Sequence, residues 1–179
     1  MKEKESKPDK VLVSKLQSGR SSSVREALRE IKVTGTVPII PYLFDIVTEG
    51  KDNAIIDEIL KILSDIKDKE AAPVMVECIN NRDFGSRTAD VLSVCWQSRL
   101  DFSPFIDDFT KIFLRSDYQS SIEAFTVIED SIFNAPVAKR HESLKILENG
   151  IKEVGDDKKP LYFELLKVIK ASLNFTIEN

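Results

Sequence analysis

Apolar residues return along this chain at intervals of three and four, the spacing that puts them on one face of an α-helix. Val11, Leu12 and Leu16 begin a short helix that Gly19 ends. Val24, Ala27, Leu28 and Ile31 make the next stripe, with Ser21–Ser23 offering its N-cap and Gly35 its stop. Ile39, Leu43, Ile46 and Val47 follow, closed by Gly50. Asp52 or Asn53 then caps a helix bearing Ile56, Ile59, Leu60, Leu63 and Ile66, and a shorter one carries Val74, Met75, Cys78 and Ile79. From about Phe84 the plan repeats, with Val91, Leu92, Cys95 and Trp96, then Phe105, Ile106, Phe109, Ile112 and Phe113. Ser103 is the expected cap there, and Asp107 and Asp108 suit the positive end of the helix dipole. Ile122, Phe125, Ile128 and Ile132 form a further stripe, then Leu144, Leu147, Ile151 and Val154. A last helix carries Leu161, Leu165, Leu166, Val168, Ile169 and Leu173. No strand-like alternation survives between the turn signals, so the pattern predicts an all-α chain of amphipathic helices in antiparallel pairs.

Prolines mark the period. Pro38, Pro73, Pro104 and Pro136 each open an apolar stretch, and the gaps are 35, 31 and 32 residues. Proline fits the first position of a helix, where its missing N–H has no partner to lose. Its regular return predicts the start of the second helix in successive copies of one unit, a helical repeat array. Pro160 stands off the period, as a terminal capping helix would. Residues 1–10 are expected to be a flexible arm, and 11–179 a single helical repeat domain.

Charge and cysteine usage narrow the partner classes. Residues 1–20 hold six Lys/Arg against three Asp/Glu, and the remaining chain holds 20 against 27. An acidic body is a poor match for a phosphate backbone, so nucleic acid is not the expected partner. Neither a signal-like apolar run after Met1 nor a stretch near the ~20 apolar residues of a membrane span is seen. Cys78 and Cys95 lack disulfide-framework or metal-site spacing, so a reducing cytoplasm is the expected compartment.

Two segments carry a family resemblance. S-S-S-V-R-E-A-L-R-E-I at 21–31, with T-V-P-I-I-P-Y-L-F-D-I-V at 36–47, resembles the paired helix starts of HEAT and armadillo-type repeats. A-A-P-V-M-V-E-C-I at 71–79 resembles the second helix again, and Ser86-Arg87-Thr88-Ala89 the first. The spacing is closest to short bacterial HEAT-like units; the W-x-x-L-G-x-x-Y start of tetratricopeptide repeats is absent. The resemblance implies a right-handed α–α superhelix (solenoid) of about four antiparallel pairs with terminal capping helices. It implies function only loosely, because this architecture hosts scaffolds, accessory subunits and a few enzymes.

Candidate chemistry is sparse. His141 is the single histidine, which leaves triads and histidine metal sites little to work with, and it reads as a solvated side chain. The cysteines and Phe105, Phe109 and Phe113 read as core, and Asp156–Lys159 as an exposed loop. Trp96 reads as an anchor between stacked units or as a partly exposed binding aromatic. No catalytic residue, cofactor or metal ligand is assigned. The expected activity is a non-catalytic scaffold or adaptor that binds another protein through its second helices. On those helices the solvent-side candidates are Tyr42, Asp45, Glu49, Glu77, Asn80 and Asn81, then Asp108, Lys111, Arg115, Lys139 and Arg140, a gradient from acidic to basic. Alternatives implied by the resemblance are a HEAT-like DNA glycosylase or nucleic-acid-binding protein, disfavoured by the acidic body, and a lyase- or chaperone-type accessory subunit.

Overall fold

A computed structural model describes residues 8–34 and 37–175. Among them the regular structure is all helical, with no strand. The α-helices are α1 (Lys10–Leu16), α2 (Ser21–Thr34), α3 (Ile40–Glu49), α4 (Asn53–Ser64), α5 (Ala71–Asn80), α6 (Thr88–Ser98), α7 (Ile106–Arg115), α8 (Tyr118–Ser131), α9 (Val137–Gly150) and α10 (Lys159–Phe175). No helix among the described residues is long and apolar enough to cross a membrane.

Helix starts follow the proline rule only loosely. Pro38 and Pro104 lie in 3-10 turns, Val37–Ile39 and Ser103–Phe105, just ahead of α3 and α7. Pro73 is the third residue of α5, Pro136 the N-cap of α9 and Pro160 the second residue of α10. The amides of a helix's cap and first turn have no intrahelical partner, so each position tolerates proline, and the recurrence fixes the neighbourhood of a start without its register. Asp9, Asp52 and Asp117 supply side-chain caps; Asp52 accepts from the amides of Ala54 (3.1 Å) and Ile55 (3.3 Å). Two expected caps are corrected. Ser21–Ser23 already belong to α2, and Ser103 is buried, its own amide donating to Asp101. Gly50 does close α3, in an extended conformation, where a Cβ would strike the Ile46 carbonyl oxygen. Gly35 lies outside the described residues, as do residues 1–7 of the expected arm; Asp9 and Lys10 are the cap and first residue of α1.

The described residues divide into two compact units, one ending at Arg87 and the other starting at Thr88. This boundary falls inside Ser86–Ala89, which the sequence pattern marks as a helix start. In the N-terminal unit α2 packs on α4 and α3 on α5, with α1 against α2 and α3. Its core is hydrocarbon: Leu28, Leu43, Phe44, Ile59, Leu63 and Met75 are fully enclosed, and Phe44 meets Phe84 edge-on.

In the C-terminal unit α6 packs on α8, α7 on both α8 and α9, and α10 on α8 and α9. The face that α8 buries differs from the expected stripe. Ile122 is exposed and Phe125 half-buried, while Ser120, Ser121, Ala124, Val127, Ile128 and Ser131 turn inward. Small residues on that face let α6 and α7 close in on α8. Helix α9 likewise buries Arg140, Ser143, Leu147 and Gly150, with Leu144 half-buried. A Cβ at Gly150 would come within 2.5 Å of Leu114, so glycine sets how closely α9 approaches α7.

Candidate functional site

The acidic candidates of the N-terminal unit share one face of α3. Tyr42, Asp45 and Glu49 are spaced by three and four residues. They line an open groove of about 630 Å³ with the end of α1, the first turn of α2 and Asp52. A second groove, of about 710 Å³, runs along α1 and shares Tyr42 and Gln17 with the first. Not all of this charge is available. Asp45 Oδ1 accepts two bonds from Arg82, at 2.9 Å from Nε and 2.7 Å from an Nη, and Arg82 also reaches the Pro41 carbonyl. Asp52 holds its cap and accepts the Ser21 hydroxyl. Glu49 and the Tyr42 hydroxyl have no partner among the described residues. Glu77, Asn80 and Asn81 are exposed at the far end of α5 and line neither groove.

The basic candidates of the C-terminal unit do not form a free cationic surface. Lys139 Nζ sits 2.9 Å from both oxygens of the buried Asp107, and Lys111 lies 3.5 Å from Asp108 and 3.9 Å from Asp107. Arg115 remains exposed and unpaired. The placement of Arg140 on a solvent face is corrected. It is buried, and its guanidinium donates to the carbonyls of Phe133 (2.6 Å), Ala135 (2.8 Å) and Ser172 (2.7 Å). A planar fork of five donors suits several carbonyls at once, which gives Arg140 a structural task.

Lys158 is the second correction, since three residues of the Asp156–Lys159 loop are exposed and this one is buried. Its Nζ donates to the carbonyls of Phe113 (3.0 Å), Leu114 (2.9 Å) and Ser116 (2.8 Å), and lies 3.3 Å from Ser121 Oγ. These carbonyls are the open acceptors at the end of α7, so Lys158 caps that helix from a distant turn. It also stands 5.5 Å from the centre of the Phe113 ring. Burial pushes its pKa below the ordinary lysine value, against the pull of Asp157 and Asp117. A lysine beside a serine can suggest a nucleophile and its base, but three carbonyls engage all three N–H bonds of an ammonium, so Nζ has no lone pair to offer Ser121. A run of charged residues in sequence carries no sign that one of them turns inward.

His141 is exposed. Cys78 and Cys95 are buried free thiols, with burial raising Cys78 to about 11 and Cys95 further, which keeps both as unreactive thiols. No group of three or more His, Cys, Asp and Glu among the described residues could hold a metal ion.

Trp96 is 38% exposed, and its indole N–H donates to Glu123 Oε2 at 2.7 Å. It lines a pocket of about 450 Å³ with Arg99, Asp101, Asp130 and Asn134. Arg99 is the one non-glycine residue with positive φ among those described, at +59° just past the end of α6. Nothing in the sequence W-Q-S-R-L announces that conformation, since glycine is the usual occupant.

Comparison with protein-family models, curated proteins and solved structures gives no match to this chain. Its own geometry therefore carries the functional reading.

Proposed function

We propose that this protein is a non-catalytic binding module of the HEAT-like α–α repeat type, which engages another protein through the polar faces of its second helices. The observation that carries the reading is the groove along α3, which Tyr42 and Glu49, two turns apart on one face, line with unused polar atoms. Open concavities with an aromatic and a few placed polar groups are where binding sites concentrate. Alternate-helix packing supports the repeat architecture: α2 on α4 and α3 on α5 in one unit, α6 on α8 and α7 on α9 in the other. Stacked helix pairs of a solenoid make such contacts. The superhelix itself belongs to this proposal, as does a cytoplasmic setting.

The test is site-directed photo-crosslinking in cells of the source organism. A photoreactive residue at position 42 or 49 should trap the same protein, and one at the exposed Lys145 should not. Absence of any adduct from positions 42 and 49, or an identical set from all three, would contradict the reading.

A further inference from the structure

We propose that the Trp96 pocket of the C-terminal unit receives a single basic side chain, arginine or lysine, presented by an extended segment of a partner protein. The proposal rests on the protein-binding reading above and adds a surface that the second-helix candidates do not include.

Three features argue for it. The first is an aromatic wall held in place. Glu123 fixes the indole of Trp96 through its N–H, leaving a partly exposed ring beside the pocket. Indole is the best of the aromatic faces for a cation, and its attraction grows when the site is partly desolvated. The second is charge. Two carboxylates, Asp101 and Asp130, line the pocket against one guanidinium, Arg99, so it carries one net negative charge. Asp101 spends one oxygen on the Ser103 amide, at 3.0 Å. Asp130 has no hydrogen bond or ion pair among the described residues and stands ready for an incoming cation. The third is the match between the lining and a long basic side chain. Such a chain is an apolar stem with a charged head. The pocket supplies buried Cys95 and Val127 for the stem and Asp130 with Trp96 for the head. Arg99 and Asn134 are also without partners, and their N–H groups suit the backbone carbonyls on either side of the bound residue. The volume, about 450 Å³, lies within the ~300–1,000 Å³ of small-ligand pockets.

Trp96 is the only tryptophan, so its emission reads this pocket without a label. The intact protein is titrated with the capped peptide acetyl-Gly-Ala-Arg-Ala-Gly-amide. The matched peptide with citrulline in place of arginine keeps the shape and loses the charge, and free arginine keeps the charge and loses the flanking carbonyls. We expect a saturable change with the arginine peptide, at least ~10-fold weaker binding of the citrulline peptide, equivalent to one lost charged contact, and weaker binding of free arginine, which lacks the flanking carbonyls. Asp130→Asn should weaken the arginine peptide by a similar factor with an unchanged melting temperature, because Asp130 is exposed and unpaired. Arg99→Gly should raise the melting temperature, because glycine adopts this conformation without strain. Equal response to citrulline, or no saturable response from the folded protein, overturns the proposal; equal binding of free arginine overturns its peptide part. A protein trapped at positions 42 and 49, with no arginine response at Trp96, removes the pocket and leaves the broader reading standing. An arginine response with nothing trapped does the reverse.

Discussion

The two units bury different chemistry. Every buried residue described up to Arg87 is apolar, whereas the unit beginning at Thr88 also encloses Asp107, Thr110, Arg140, Lys158 and seven serines. Helices of the first unit meet through hydrocarbon, which is non-directional and tolerates many arrangements. Those of the second add to their hydrocarbon small side chains on the inner faces of α8 and α9, and carbonyls left open at helix ends are answered by two buried cations. A buried polar group costs free energy unless it is hydrogen-bonded, so such a core must be satisfied almost atom by atom. Among the described residues, Ser143 Oγ, on the α9 face that also buries Arg140 and Gly150, is the buried side-chain atom with no partner. The second unit is thus set by specific contacts, while the first is set by volume and pattern.

Substitutions can break this contrast. The largest effect is expected at Arg140. Arg140→Ala strands the carbonyls of Phe133, Ala135 and Ser172 and should cost about 3–5 kcal/mol in urea unfolding. Next is its hydrocarbon counterpart in the first unit, Leu43→Ala, expected to cost about 3 kcal/mol through lost transfer energy and a cavity. The two differ in rescue. Leu43→Met should recover most of the loss, because an apolar site accepts a similar volume. Arg140→Lys should recover little, because one ammonium lacks the guanidinium fork.

A smaller effect is expected at Gly150. Gly150→Ala should cost about 1–2 kcal/mol, because the new Cβ pushes on the Leu114 side chain between α7 and α9. Leu114→Ala in the same chain should restore part of it, a coupling that a double-mutant cycle measures. The smallest expected effect is at Asp117, the cap of α8. Its carboxyl is held below its ordinary value of 3.8, chiefly by the Ser120 amide and then by the Ser120 hydroxyl. A lowered native pKa adds stability that is present above the unfolded value and is lost as pH falls from 3.8 through the native one. Asp117→Asn, an equally good cap by type, should flatten that acid limb by a few tenths of a kcal/mol and leave neutral pH nearly unchanged.

The same contrast explains what was legible in the sequence. Periodicity finds much of the apolar burial: Val24, Ala27, Leu28 and Ile31 on α2 and Ile56, Ile59 and Leu63 on α4 are buried, while Leu60 of the same stripe is half-buried and Val11 on α1 is 62% exposed. Helical periodicity weights large apolar side chains, so on α8 it selects exposed Ile122 over buried Ser121 and Ala124. It gives no sign of a lysine or arginine that turns inward, because direction depends on carbonyls supplied by residues far along the chain. For Lys158 these are Phe113, Leu114 and Ser116. Among the site candidates, Tyr42, Asp45 and Glu49 come together on one groove as the α3 spacing implies. The acidic-to-basic gradient does not persist as free charge, because Lys111 and Lys139 neutralise Asp107 and Asp108 and Arg140 is enclosed. The Trp96 pocket joins residues from α6, α8 and the loop after each, a juxtaposition that exists only once those helices pack.

The most direct test of the polar core is equilibrium urea unfolding of Lys158→Met, which keeps an apolar stem of similar length and removes only the ammonium. The account predicts a loss of about 2 kcal/mol with an unchanged slope, since the Leu114 carbonyl loses its bond and the single proton of the Ser121 hydroxyl, within reach of the Phe113, Ser116 and Asp117 carbonyls, serves only one of them. A midpoint equal to or above that of the parent would show that hydrocarbon serves as well at this position, and would contradict the claim that buried cations hold the second unit together.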